Sequence, residues 1–213
     1  MARLRRLVVP GEAHYLIQRA HGGPDAPGLY RDGQDIAAFD AALLESAAAN
    51  GVQLHSYSLT LRELQLLATP ADRLALGRML QALARRYVSA YNRRYLRRGS
   101  LWEGRFRCAV VEPGEIRLAA LRLIDAQRAD AVGQPPLTQL PEVWQLGNTP
   151  FEREAAYRSL LAQGVATELA QALRRAALGG WAAGSAGFVA GIEQAASRPA
   201  RPRPRGRPSR APA

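Results

Sequence analysis

Glu63 and Gln65 stand two residues apart in the otherwise apolar run ELQLL. Side chains of a strand alternate with a period of two, so this carboxylate and this amide must share one face. Together they offer oxygen ligands to a hard divalent cation such as Mg²⁺ or Mn²⁺. The same two groups also satisfy one another as a hydrogen-bonded pair with no metal, and His55, on the preceding strand HSYSL, is a candidate neighbour for that pair. His14 and His21 have no spacing that ties them to a metal. Cys108 is the single cysteine, which excludes an intramolecular disulfide and a cysteine-cluster metal site and fits a reducing compartment.

A second constellation is basic and aromatic. The segment RRYVSAYNRRYLRRGSLWEGRFR carries Arg85, Arg86, Arg93, Arg94, Arg97, Arg98, Arg105 and Arg107, opposed only by Glu103. Tyr87, Tyr91, Tyr95, Trp102 and Phe106 are interleaved with them. Arginine neutralises phosphate, and aromatic rings stack on unpaired bases, so the mixture suits single-stranded or hairpin nucleic acid. The tyrosines, four apart, also have the spacing of a helix face turned to a core. Near the end, Pro204-Arg205-Gly206-Arg207-Pro208 resembles an AT-hook, whose arginines enter a narrow A·T-rich minor groove; a generic basic tail has the same composition.

The whole chain agrees with a polyanionic partner. Its 213 residues carry a net charge of +11, and all 29 basic residues are arginine. Arginine's planar fork matches phosphate and guanine edges, although a lysine-free composition also follows from GC-rich coding. Nucleic acid is the first partner this charge implies, and an anionic membrane surface the second. No apolar stretch approaches a membrane span, and the basic N-terminus is broken by Pro10, Gly11 and Glu12 before it forms a signal-type apolar run. A cytoplasmic, nucleoid-associated location is expected, with no membrane partner.

The elements that must position these residues follow from periodicity and turn signals. Residues 12–19 read as a strand, 34–50 as a helix ended by Asn50-Gly51, and 52–69 as a hairpin. One long helix is expected from Pro70 and Asp72 to about Leu96, a last strand at 107–112, and a helix opened by Pro113 through about Arg128. This order predicts an α+β, ferredoxin-like antiparallel sheet with helices on one face. The domain is placed at residues 1–132, followed by a proline-rich linker at 133–150. An accessory helical region is expected at 151–197, with helices at 151–163, 167–178 and 185–196. An Arg/Pro tail at 198–213 has no apolar periodicity and is expected to be disordered.

In order along the chain, MARLRRLVVPGEAHYLIQRAHGG, LYRDGQDIAAFDAAL, QLHSYSLT, MLQALARRYVSAYNRRY and RRGSLWEGRFRCAVVE resemble the REP-associated tyrosine transposases, relatives of the HUH single-strand transposases. YRSLL, GSAGFVAGIE and RGRPSR are similar to the accessory C-terminal region of some members. The resemblance implies a His-x-His metal pair on the strand after HSYSL, polarising a scissile phosphate, and a nucleophilic tyrosine on the helix after the last strand. Here the histidine positions fall on Glu63 and Gln65, and RLIDAQRADAVG puts Leu123 where the tyrosine stands. Leucine cannot attack phosphorus. Tyr87, Tyr91, Tyr95 and Tyr157 lie where the resemblance places no nucleophile.

The expectation is therefore a transposase-family DNA-binding protein that recognises hairpin or single-stranded DNA without strand cleavage and needs no cofactor. Its DNA-binding residues would be Arg85, Arg86, Arg93, Arg94, Arg97, Arg98, Trp102, Arg105, Phe106 and Arg107, with Arg205 and Arg207 reaching A·T-rich duplex. The alternative is an active transposase in which Glu63 and Gln65 hold Mg²⁺ or Mn²⁺. An interaction protein with no nucleic-acid role is opposed by the charge. RNA satisfies the same electrostatics, and the sequence does not choose between monomer and dimer.

Overall fold

A computed structural model describes residues 5–22, 26, 28–128 and 140–202. The core is built by β1 (His14–Arg19), α1 (Gly33–Ala49), β2 (Val52–Leu59), β3 (Glu63–Pro70), α2 (Ala75–Leu83) and β4 (Arg107–Val111). The strands run in the order β2-β3-β1-β4, and each neighbouring pair is antiparallel. With the βαββαβ chain order, that is the ferredoxin-like arrangement expected from the sequence. A short strand β5 (Ala182–Ala183) pairs in parallel with β4 and extends the edge. Two residues are too few to carry a periodicity, so this strand leaves no mark in the sequence.

The two sheet faces bury different cores. On one face, Leu16, Leu54, Tyr57, Leu64, Leu66 and Cys108 pack against Phe39 and Leu43 of α1 and Leu76, Met79 and Leu83 of α2. On the other, Tyr15, Ile17, Leu67, Ala109 and Val111 meet α4 (Glu115–Ala126) and α7 (Thr167–Gly179) through Ala120, Leu121, Ile124, Leu173 and Ala177. The first face carries the two helices expected from the chain order. The second is closed by helices too, α4 and, from the C-terminal region, α7, because strands with apolar residues on both sides need cover on both.

The alternation of side chains along the first strand of the hairpin expected at 52–69 breaks once. A β-bulge between Leu54 and Ser56 absorbs one extra residue. As a result Leu54 and Tyr57 both reach the first core, while Ser56 and Ser58 join the second face. His55 consequently pairs with Thr69, Nε2 to Oγ1 at 2.8 Å, and does not join the Glu63–Gln65 pair.

The long helix expected to Leu96 is also modified. α2 passes through a π-helical turn (Ala84–Val88) into α3 (Ser89–Arg94). The wider turn lets Tyr87 and Tyr91, four apart, both stay buried in the first core, with Phe39 edge-on to Tyr87 at 5.1 Å. The Tyr87 hydroxyl donates to Leu29 O, and that of Tyr91 donates to Gly28 O at 3.2 Å.

Within the region expected as a linker, α5 (Pro141–Trp144) buries Glu142 and Val143; residues 129–139 lie outside the described residues. α6 (Pro150–Gln163) opens with a capping box, Thr149 and Glu152. After α8 (Ala186–Ala196) the chain packs back: Ala200 is fully buried, and its carbonyl accepts from Ala182 N–H at 2.8 Å. The rest of the Arg/Pro tail, including Arg205 and Arg207, lies outside the described residues.

Candidate nucleic-acid interface and the polar network

Glu63 and Gln65 do share a face, and they touch. Gln65 Nε2 donates to Glu63 Oε1 at 2.7 Å and to Gln127 Oε1 at 3.0 Å, while Gln65 Oε1 accepts from the Tyr15 hydroxyl at 2.6 Å. Both Glu63 oxygens are held by the Arg174 fork of α7, at 2.8 and 2.7 Å, and Arg19 Nε stands 3.6 Å away. A bidentate, charge-assisted pair of this kind is among the stronger polar contacts a protein makes. Burial pushes the Tyr15 phenol up to about 12, against the Arg174 cation, so it stays a protonated donor at neutral pH.

The network continues along the same face. Ser58 Oγ reaches Gln127 Oε1 at 3.5 Å. Ser56 donates to Asp125 Oδ1, and the Tyr157 hydroxyl of α6 donates to Asp125 Oδ2 at 2.6 Å. Burial, then the Asp125 charge, raises the Tyr157 phenol, which holds its proton against Asp125. Leu123 sits two residues before Asp125 on α4, half-buried against the apolar layer of this face.

The donor set does not fit the divalent metal that the family resemblance implies. A hard cation needs several outward-facing oxygens, preferably anionic. Here the single carboxylate of the pair has both oxygens bonded to a guanidinium, and the amide oxygen already accepts from Tyr15. No group of three or more His, Cys, Asp or Glu side chains is arranged for a metal among the described residues.

On the other side of the sheet, arginines follow the π turn, α3 and the loop to β4, over the core built by α1 and α2; Arg107, the first residue of β4, opposes Ile17 and is in step with Ala109, so it belongs to the face of the Glu63–Gln65 network. The arginines divide by partner. Arg94 bridges Asp32 and Asp35 at 2.6 Å each, which fastens α3 to the start of α1. Asp32 also caps α1 by accepting from Asp35 N–H at 3.0 Å. The Arg94 side-chain bonds and the capped N–H hold the Asp32 carboxyl down at about 2. Arg86 pairs with Glu45, and Arg97 donates to Asn92 Oδ1 at 3.1 Å. By contrast Arg85, Arg93, Arg98, Arg105 and Arg107 are exposed and have no acidic partner among the described residues.

Of the aromatic residues, Phe106 is buried and Trp102 half-buried at the loop. Sequence reasoning missed Arg6, whose guanidinium lies 3.9 Å over the Phe106 ring; burial and the nearby Arg105 charge hold it below its ordinary value. It also missed Arg174. Its position in an ordinary helix carries no signal, because the contact spans 111 residues of chain.

No family model matches the chain, and no curated protein does. Solved structures similar to it include two transposases. One is a REP-associated tyrosine transposase bound to a REP hairpin, with 10% identity, a TM-score of 0.49, and coverage of 66% of this chain and 81% of that chain. The other is a candidate transposase from Deinococcus radiodurans R1, with 21% identity, a TM-score of 0.39, and coverage of 60% of this chain and 98% of that chain. At these identities and scores the likeness assigns neither partner nor chemistry to this chain. Among the described residues, no helix is long and apolar enough to cross a membrane.

Proposed function

We propose that this chain binds hairpin or single-stranded DNA through the arginine ridge and does not cut it. The carrying observation is the set of four exposed arginines without acidic partners among the described residues, Arg85, Arg93, Arg98 and Arg105, ranged along the π turn, α3 and the loop beside it. Cations left unpaired on a folded surface are available to phosphate, and each one engaged releases counterions. Arg94 and Arg86 belong to the fold's own ion pairs and contribute less.

Two features support the absence of cleavage. The Glu63 carboxylate is committed to Arg174, and Leu123 offers no nucleophile. Attack on a phosphodiester by a side chain needs both an activated nucleophile and stabilisation of the developing charge. The network supplies neither: it joins sheet, α4, α6 and α7 and acts as a structural tie. The tail arginines, Arg205 and Arg207, add phosphate or minor-groove contacts in this reading.

The test is a quadruple replacement of Arg85, Arg93, Arg98 and Arg105 with Ala, with binding to a labelled hairpin carrying single-stranded flanks followed across a salt series. The slope of log affinity against log salt should flatten by roughly 0.7 to 0.9 for each phosphate contact removed. An unchanged affinity and slope sinks the proposal.

A further inference from the structure

A cavity of about 200 Å³ opens between α2 and the loop before β4, lined by Arg6, Gln18, Gly77, Trp102, Arg105 and Phe106. It lies on the arginine side of the sheet and reaches Ala84, the residue before Arg85. Its volume falls below the roughly 300–1,000 Å³ of ordinary small-molecule sites, so it suits one flat ring system and not a whole cofactor.

Its walls have the chemistry of base recognition. Trp102 and Phe106 supply ring faces, and Arg6 supplies a planar cation already stacked on Phe106. The Gln18 side chain, only 7% exposed, donates through Nε2 to Gly104 O at 3.1 Å. Its amide oxygen has no hydrogen-bond partner among the described residues, leaving an acceptor for a base N–H. Gly77 sits inside helix α2, where glycine is unfavourable, and a Cβ built there would meet nothing within 4 Å. The helix is left bare where it borders the cavity.

We propose that this cavity receives one unpaired nucleobase of a single strand whose phosphates lie along Arg85 and Arg105. This rests on the nucleic-acid reading above and names what that surface reads besides charge. Stacking and one amide contact hold the base, and the arginines hold the flanking backbone.

The test uses the full chain with Trp144 and Trp181 changed to Phe, so that Trp102 alone reports. A short oligothymidine is compared with an abasic strand of equal length and charge, first in this background and then with Gly77→Leu or Gln81→Phe added. Gly77→Leu fills the cavity from the helix, and Gln81→Phe covers it from an exposed position that leaves folding intact; circular dichroism checks both. The base-bearing strand should bind about tenfold more tightly than the abasic one and change Trp102 emission. Both added changes should erase that advantage and leave abasic binding unaltered. Equal binding of the two strands, including none to either, overturns the proposal. So does an advantage that survives both cavity changes. The hairpin reading stands or falls separately, on the salt slope of the arginine variant.

Discussion

Replacing Arg174 with Met removes the guanidinium and keeps most of the aliphatic stem, so the change isolates the polar contact. Glu63 is left 13% exposed, while Arg174 itself is 42% exposed. Breaking a fully buried pair costs about 3–5 kcal/mol, and exposed pairs are worth about 0–1 kcal/mol. This pair is intermediate, and Glu63 retains Gln65 Nε2 at 2.7 Å and Arg19 at 3.6 Å. A loss of about 2 kcal/mol follows, or a fall of about 4–8 °C in Tm for a chain of this size. Glu63→Gln should cost less, about 1 kcal/mol, because the half-exposed guanidinium can turn to water. The double variant should show a coupling of about 1 kcal/mol in a urea-unfolding cycle. A coupling indistinguishable from zero, or an Arg174→Met variant as stable as the parent, refutes the assignment of Arg174 as the tie that closes this network.

Arg94→Ala should lower Tm by loosening α3 from α1, yet leave the salt slope of DNA binding unchanged; thermal melts and anisotropy read the two effects apart. Gly77→Ala should raise stability by about 0.5–1 kcal/mol in urea unfolding, since a helix-interior glycine is replaced with no clash. Acid sensitivity should come from two buried histidines. Burial holds His14 and His55 down at about 4, so the unfolded chain binds more protons than the native one between about 4 and 6.5. Stability is therefore fully present above about pH 6.5 and falls as pH drops toward 4, by up to about 3 kcal/mol for each histidine. Urea unfolding against pH checks this, and variants with Gln at each position should flatten the slope.

The ferredoxin-like order was legible because each element announces itself locally. Period-two alternation marked 52–69, helical spacing marked 34–50, and Asn50-Gly51 and Pro113 marked the ends. The shared face of Glu63 and Gln65 followed from strand geometry alone, and the structure joins them at 2.7 Å. What the sequence left open depends on distant partners. Arg174 and Tyr157 reach the sheet from helices whose own patterns do not say where they dock. The bulge at His55 changes which side chains join which core, and it follows from a fit between two strands and not from composition. The arginines were visible as a cluster, but their division into paired and unpaired cations depends on Glu45, Asp35 and Asp32, which stand 41, 59 and 62 residues earlier in the chain than the arginines they hold.

The central claim is binding without cutting. It is tested most directly by incubating the full chain with the labelled hairpin in Mg²⁺, in Mn²⁺ and in EDTA. Anisotropy reads binding, and a denaturing gel reads any covalent protein–DNA adduct or shortened strand. The expected result is hairpin binding that needs no metal and persists in EDTA, with intact DNA and no adduct in all three conditions. A metal-dependent adduct would contradict the account and return Glu63 and Gln65 to a catalytic role.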